Sequence, residues 1–329
     1  MTQERNDAPS PDWRARAAVG LGGLAVVGAG LAAASAALAR DAERRVPPDG
    51  RWIDVEGTRL HYLDNGGSGP PLVMVHGLGG QIRNFTHSLT ALLDGEFRVV
   101  VVDRPGSGYS SPRDRKRRPT IRDQGRLIAQ FVGKLGLRRP LLVGHSLGGA
   151  VSLAAALAAP GRLGGLALLA PLTQPLNQAP EALRTLQRDS ALARFGVARV
   201  FGVPLGRLGK RVNERAIFTP DEPPADFGTR GGGLLALRPG NLDAAMFEIA
   251  ASRDDLDAMV GRYGELDLPV SILFARGDNL LNPDVHGART ARTIPGATYE
   301  EIEGGHMLPV THPEACARVI RAVQARMGR

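Results

Sequence analysis

The five residues Gly144-His145-Ser146-Leu147-Gly148, with Gly149 following, restrict the fold more than any other part of this 329-residue chain. They come directly after the apolar run Leu141–Val143 and lead into Ala150–Leu157, an Ala/Leu-rich helical pattern. A serine set between glycines at a strand-to-helix turn is a nucleophile elbow. The turn is sharp, so side chains in place of the glycines would meet neighbouring backbone. The hydroxyl is held clear of the sheet at a helix N-terminus, where the backbone dipoles favour developing negative charge. The bare pattern is weak; its place between a strand and a helix gives it weight.

The rest of the chain from Arg51 has a matching rhythm. Leu72–Val75 and Val99–Val102 are continuous apolar runs, as in strands buried on both faces of a parallel sheet. Leu141–Val143, Leu166–Leu169 and Val270–Phe274 repeat the signature. Thr58–Leu63 alternates and then meets Asn65-Gly66-Gly67, which reads as a hairpin strand. Between the runs lie helical patterns. Thr120 with Asp123 is placed to cap a helix whose Leu127, Ile128, Phe131 and Leu135 share a face, and His312 to about Met327 reads as the last helix. The expected architecture is α/β, a mostly parallel doubly wound sheet with right-handed crossovers. From Leu172 to Tyr263 no buried strand is visible: Arg184–Arg215 reads as basic amphipathic helix pieces, and Ala216–Gly264 is acid-rich. That interval is expected to be a helical cap over 172–263, with the core formed by 51–171 and 264–329.

A serine near neutral pH needs a base, and the base needs an orienting acid; on a strand–elbow–helix scaffold the chain order is Ser, acid, His. Three histidines follow Ser146. His306, freed by Gly304-Gly305 after the apparent strand Thr298–Ile302, is the candidate base. His312 precedes Pro313 and reads as a capping or surface residue, and His286 as a surface residue near a helix start. Asp278 ends the strand Val270–Phe274 through Ala275-Arg276-Gly277 and is the candidate acid, with Asp284 the nearest competitor. After the preceding strand no acid occurs before Glu181. The backbone amides of Leu78, in His76-Gly77-Leu78-Gly79-Gly80, and of Leu147 are the candidate oxyanion donors. His76 reads as support for its loop.

His76-Gly77, Asp103-Arg104-Pro105-Gly106-Ser107-Gly108-Tyr109-Ser110, Gly144–Gly149, Gly277-Asp278 and Gly305-His306 stand in the order and spacing of the α/β-hydrolase superfamily, which residues 51–329 resemble. The resemblance implies that the insertion after the sixth strand caps the active site and that Asp103–Ser110 is a structural loop. The run Arg113–Arg118 continues from that loop and is expected on the active-site face. Ser146 argues against the dehalogenases and epoxide hydrolases of this superfamily, which carry Asp at the elbow. Leu78 departs from the HGGG-type loop of one lipase group, and an HGGPG-like loop is absent. The expectation is a serine hydrolase cleaving a carboxylic ester through an acyl-enzyme, with no metal and no organic cofactor. C–C bond hydrolysis, thioester hydrolysis and cofactor-free haloperoxidase or perhydrolase chemistry use the same triad and stay open. A non-catalytic, membrane-tethered binding protein is the alternative from another class.

Residues 1–50 read as a polar head, an apolar segment and a linker. Ala17–Ala39 is 23 residues without a charge, long enough to span a bilayer, although ten are Ala and five Gly. A single N-terminal anchor with the enzyme outside is the expectation. A signal peptide cut after Ala37-Leu38-Ala39 and a soluble small-residue helix are the alternatives. Val46–Gly50 reads as the linker. Joined to such an anchor, the basic pieces of 184–215 and the 113–118 run would face anionic lipid, and the substrate would be lipid-like. The net charge of +8 equals the excess within 113–139, ten bases against Asp114 and Asp123. No aromatic interleaves the run, which argues against a nucleic-acid partner. One cysteine, Cys316, excludes an intramolecular disulfide and a Cys-based zinc site.

Overall fold

The computed structural model describes residues 12–111, 118–176, 178, 180–186 and 190–328. Of the basic run, 113–117 lie outside the described residues; Arg118 is described and pairs with Asp243.

Eight strands form one sheet: β1 (Arg51–Val55), β2 (Thr58–Asp64), β3 (Pro71–Val75), β4 (Arg98–Val102), β5 (Leu141–His145), β6 (Gly165–Leu169), β7 (Val270–Ala275) and β8 (Thr298–Ile302). Their spatial order is β1-β2-β4-β3-β5-β6-β7-β8. β1, β2 and β4 pair antiparallel, and every pairing from β4 through β8 is parallel. The apolar runs occupy the middle: every residue of β5, β6 and β7 is buried. Burial on both faces is why these strands show no alternation.

β2 is a hairpin strand, but its turn lies on the other side from the Asn65-Gly66-Gly67 signal. It pairs with β1 from Arg51↔Tyr62 to Val55↔Thr58, closed by Glu56-Gly57, both at positive φ. The Asn65 side chain accepts hydrogen bonds from the Gly67 and Val99 amides, which turns the chain toward β3.

Helices cover both faces. α1 runs from Asp12 to Arg45, α2 from Ile121 to Lys134 and α3 from Leu147 to Ala158. Thr120 and Asp123 cap α2 reciprocally, as the sequence pattern predicts. Between β6 and β7 the chain builds the helical cap, without a strand among its described residues. Its pieces include α4 (Ala191–Gly196), a π-helical stretch Val197–Gly202, α5 (Val203–Leu208), α6 (Lys210–Phe218) and the long α7 (Pro239–Val260). The two ends of the insertion are tied: the Tyr263 hydroxyl donates to the Thr173 carbonyl at 2.7 Å. α8 (Pro313–Met327) closes the chain against the sheet.

The last turns of α1 rest on the cap. Ser35, Ala42 and Val46 are buried, and Leu38 packs against the Ala198, Val203, Leu242 and Met246 cluster. Arg207 donates to Asp41 at 2.9 Å and Arg238 to Glu43 at 2.8 Å. The expected linker is held rather than loose: Arg83 bonds Asp49 at 2.6 Å and the Tyr109 hydroxyl donates to the Val46 carbonyl. By length and composition, Ala25–Arg45 can cross a membrane, with mean hydropathy 1.3. The charges at Arg40, Asp41, Glu43, Arg44 and Arg45 close the uncharged stretch on the cap side.

Candidate active site

The candidate residues converge at the C-terminal ends of the parallel strands, where open α/β sheets bind ligands. Ser146 stands between β5 and α3 with φ +54° and ψ −123°, a conformation an L-residue adopts only when its surroundings impose it. Its amide donates to Leu169, while its carbonyl accepts from Gly149 and Leu172. A Cβ at Gly148 would collide with the Val75 carbonyl, so β3 and the elbow approach each other only because Gly148 has no side chain.

His306 follows β8 and Asp278 follows β7. His306 Nε2 lies 2.9 Å from Ser146 Oγ, and His306 Nδ1 lies 2.7 Å from Asp278 Oδ2. The other oxygen of Asp278 accepts from the Leu280 and Leu281 amides. Burial pushes the Asp278 carboxyl up, but the His306 charge and hydrogen bond, with those amides, outweigh it and hold it below the ordinary carboxylate value. Asp284, the competing acid, is not among the hydrogen-bond partners of His306. Leu78 and Leu147 line the cavity beside Ser146 and His306. Neither amide has a backbone acceptor among the described residues.

Two chambers meet at the serine, of about 210 and 160 Å³. They share Leu78, Ser146, Leu183, Leu280 and His306. The first runs under Leu172, Leu176 and Ile249, with Arg253 on its wall; the second runs under Ile217, Phe227, Leu237 and Met307. Ser146, His306 and Asp278 within hydrogen-bond reach of one another, beside Leu78 and Leu147 in a cleft under the cap, form an arrangement that can serve acyl transfer.

The family profile described as alpha/beta hydrolase fold matches residues 70–313. The chain belongs to this family. The dihydrolipoyllysine-residue acetyltransferase component of the acetoin cleaving system of Cupriavidus necator is 35% identical over 122 residues, 37% of this chain; the match spans only 32% of that relative. A 2-hydroxy-6-oxononadienedioate/2-hydroxy-6-oxononatrienedioate hydrolase of Pseudomonas putida is 27% identical over 274 residues, 80% of this chain and 90% of that one. Among solved structures, a membrane phospholipase A shares the fold at TM-score 0.66 and 22% identity, over 95% of this chain and 99% of that one.

Around the site of this α/β hydrolase, the structure adds residues that the sequence pattern did not expose. His286 is buried rather than on the surface. Its Nδ1 accepts from the Thr173 and Gln174 amides at 3.2 Å, and burial lowers its pKa to about 4. It therefore holds the start of the cap as a neutral ring. His145 donates from Nε2 to the His306 carbonyl at 2.9 Å, and burial, then the nearby His306, lowers its pKa to about 3. His312 is part-exposed and faces Asp221 of the cap at 3.0 Å; the same carboxylate oxygen accepts the Gly305 amide. It makes no side-chain cap to α8.

Arg104 is fully buried. Its Nε donates to the His76 carbonyl and its Nη2 to the Gly77 carbonyl, both at 2.8 Å. The same guanidinium pairs with Glu248 of α7 and bonds Gln124 of α2. His76 accepts the Arg104 amide at Nε2, so it supports its loop as expected. One arginine thus ties the loop bearing Leu78 to the cap. The Asp103-Arg104 pair was visible in the sequence; its partner 144 residues away was not.

Proposed function

We propose that the protein is a serine carboxylester hydrolase held at a membrane by α1. The carrying observation is the hydrogen-bonded series Ser146–His306–Asp278, at 2.9 and 2.7 Å, beside Leu78 and Leu147, whose amides have no backbone acceptor among the described residues. Ser146 Oγ attacks the acyl carbonyl while His306 Nε2 takes its proton. Asp278 keeps the His306 proton on Nδ1, which leaves Nε2 to accept, and stabilises the imidazolium once formed. The Leu78 and Leu147 amides stabilise the oxyanion. His306 then protonates the departing alcohol, and water, activated by the same ring, releases the acid and restores the serine. Apolar walls in both chambers support an ester with apolar groups on each side of the scissile bond.

Replacing Ser146 with Ala is expected to lower turnover of short p-nitrophenyl esters by at least about 10⁴-fold and to abolish fluorophosphonate labelling, with thermal unfolding unchanged. Undiminished turnover would overturn the assignment. The second reading is C–C bond hydrolysis on the same residues. It is favoured by the likeness to the Pseudomonas putida hydrolase over most of both chains. Assaying the purified enzyme on matched ester and vinylogous diketone substrates separates the two.

A further inference from the structure

Eleven large apolar side chains are exposed among the described residues, and nine of them fall in two places. Val19, Val26 and Val27 lie on α1; Leu192, Phe195, Phe201, Leu205, Leu208 and Val212 lie on the cap stretch α4–α6. The last four follow one another by four, three and four residues, the spacing of a single helical stripe. Leu208 is 85% exposed and Leu192 80%, so the cap turns outward the kind of side chain that soluble helices turn inward. The two places adjoin, because α1 packs on Val197–Gly202 and on α5.

We propose that the 192–212 face of the cap seats in the headgroup and acyl boundary of an anionic phospholipid bilayer, beside the point where α1 leaves it. Three observations choose a bilayer over a second copy of this chain. The residues from 17 to 34 carry no charge, and none whose side chain is described is buried. As helix these eighteen residues rise about 27 Å, close to the roughly 30 Å hydrocarbon core. A soluble partner on the cap would leave that length in water. The cations flanking the stripe also suit lipid phosphate: Arg211 is exposed, Arg215 is exposed with Glu222 at 3.4 Å, and Arg199 stacks on the Phe195 ring at 3.8 Å. The acid within the stretch, Glu214, is occupied by Lys210 at 2.7 Å.

The placement bears on substrate. Gly206, Lys210, Asn213 and Ile217 of α5 and α6 repeat the same spacing five residues on, roughly 140° round the helix, and they line the chamber that holds Ser146. One helix, roughly 10 Å thick, therefore separates the seated face from the serine cleft. The ester drawn into that cleft is one dissolved in the lipid phase. The surface inference rests on α1 as an anchor; the substrate inference rests also on the ester chemistry.

The test uses the full chain in vesicles of phosphatidylcholine with a minority of phosphatidylglycerol. Cys316 is buried, so Leu208→Cys directs an environment-sensitive fluorophore to the stripe. Arg162→Cys directs one to the opposite end of the sheet, ahead of β6. A blue shift with quenching by doxyl-labelled lipid at 208, and neither at 162, is expected. A chain that floats with the vesicles while the 208 probe stays unquenched overturns the seating face alone. Energy transfer between 208 probes that rises with protein density, without lipid quenching, overturns it in favour of a second copy. A chain that does not float removes the anchor and the proposal with it, and leaves the Ser146→Ala result untouched. The paired substitution Leu205→Asp/Leu208→Asp is expected to slow hydrolysis of a vesicle-embedded ester about tenfold or more, with p-nitrophenyl acetate unaffected. Equal loss on both substrates would overturn the lipid route.

Discussion

Ser146 is held at φ +54° by bonds on both sides of its peptide unit, and the residues that hold it are as specific as the serine. Asp278 is the group whose chemistry is most exposed to a small change. Asp278→Asn keeps the shape but donates toward His306 Nδ1, so the ring carries its proton on Nε2 and cannot accept from Ser146. kcat is expected to fall about 10⁴-fold with KM little changed; a fall below tenfold in steady-state kinetics would contradict the orienting role. The buried histidines predict a pH dependence. His145 and His286 titrate near 3 and 4 in the fold, against 6.5 ordinarily, and burial lowers His76 as well. Below pH 6.5 the unfolded chain therefore binds more protons than the folded one, so stability is full above that pH and is lost as pH falls toward 4. His286→Gln keeps an acceptor for Thr173 and Gln174 and removes one such proton. The loss of unfolding free energy between pH 7 and 5 is expected to shrink by about 2 kcal/mol. An unchanged slope in urea titrations at the two pH values would exclude His286 as a contributor.

Between elements, the decisive contact is Arg104 with Glu248. Both side chains are almost wholly buried, so the pair is weak evidence for net stability, yet removing one partner strands a charge. Glu248→Ala is expected to lower unfolding free energy by about 3 kcal/mol. It should also reduce kcat more than KM, because Arg104 then holds the His76 and Gly77 carbonyls less firmly behind the Leu78 amide. A stability loss with unchanged kcat would confine Arg104 to packing. Local patterns such as the Thr120–Asp123 cap, the uniform strands and the elbow were legible because their physical cause lies within a few neighbouring residues. The Glu56-Gly57 turn was missed because the stronger-looking Asn65-Gly66-Gly67 signal competed with it. Glu248 lay in an acid-rich stretch with nothing to mark it as different from exposed acids of the same helix such as Asp254 and Asp257.

Across the molecule, α1 is two things in one helix. Its last turns are part of the cap's packing, through Ser35, Leu38, Ala42 and the Arg207–Asp41 and Arg238–Glu43 pairs. Between residues 17 and 34 none of the side chains that are described is buried. A chain lacking residues 1–34 is expected to unfold at the same temperature as the full chain. One lacking 1–46 bares Leu234, Leu235 and Leu242 and should lose several degrees in Tm, on the order of 2–4 °C per kcal/mol removed. Equal melting temperatures for the two would mean that α1 contributes nothing to the cap. The net charge of +8 does not enter this balance, since most of the basic run lies at 113–117.

The family, the succession of strands and helices after β1, the interruption after β6 and the identities of Ser146, Asp278, His306, Leu78 and Leu147 as candidates were readable from the chain. Each depends on short-range backbone sterics, on periodicity or on an order along the sequence. Their distances, the neutral buried state of His286, the Arg104–Glu248 tie and the outward apolar face at 192–212 were not. Those depend on which side of a helix meets the core, and the stripe at 201, 205, 208 and 212 has the same spacing as a buried one. Only the packing of the cap shows that its apolar side points away from the protein.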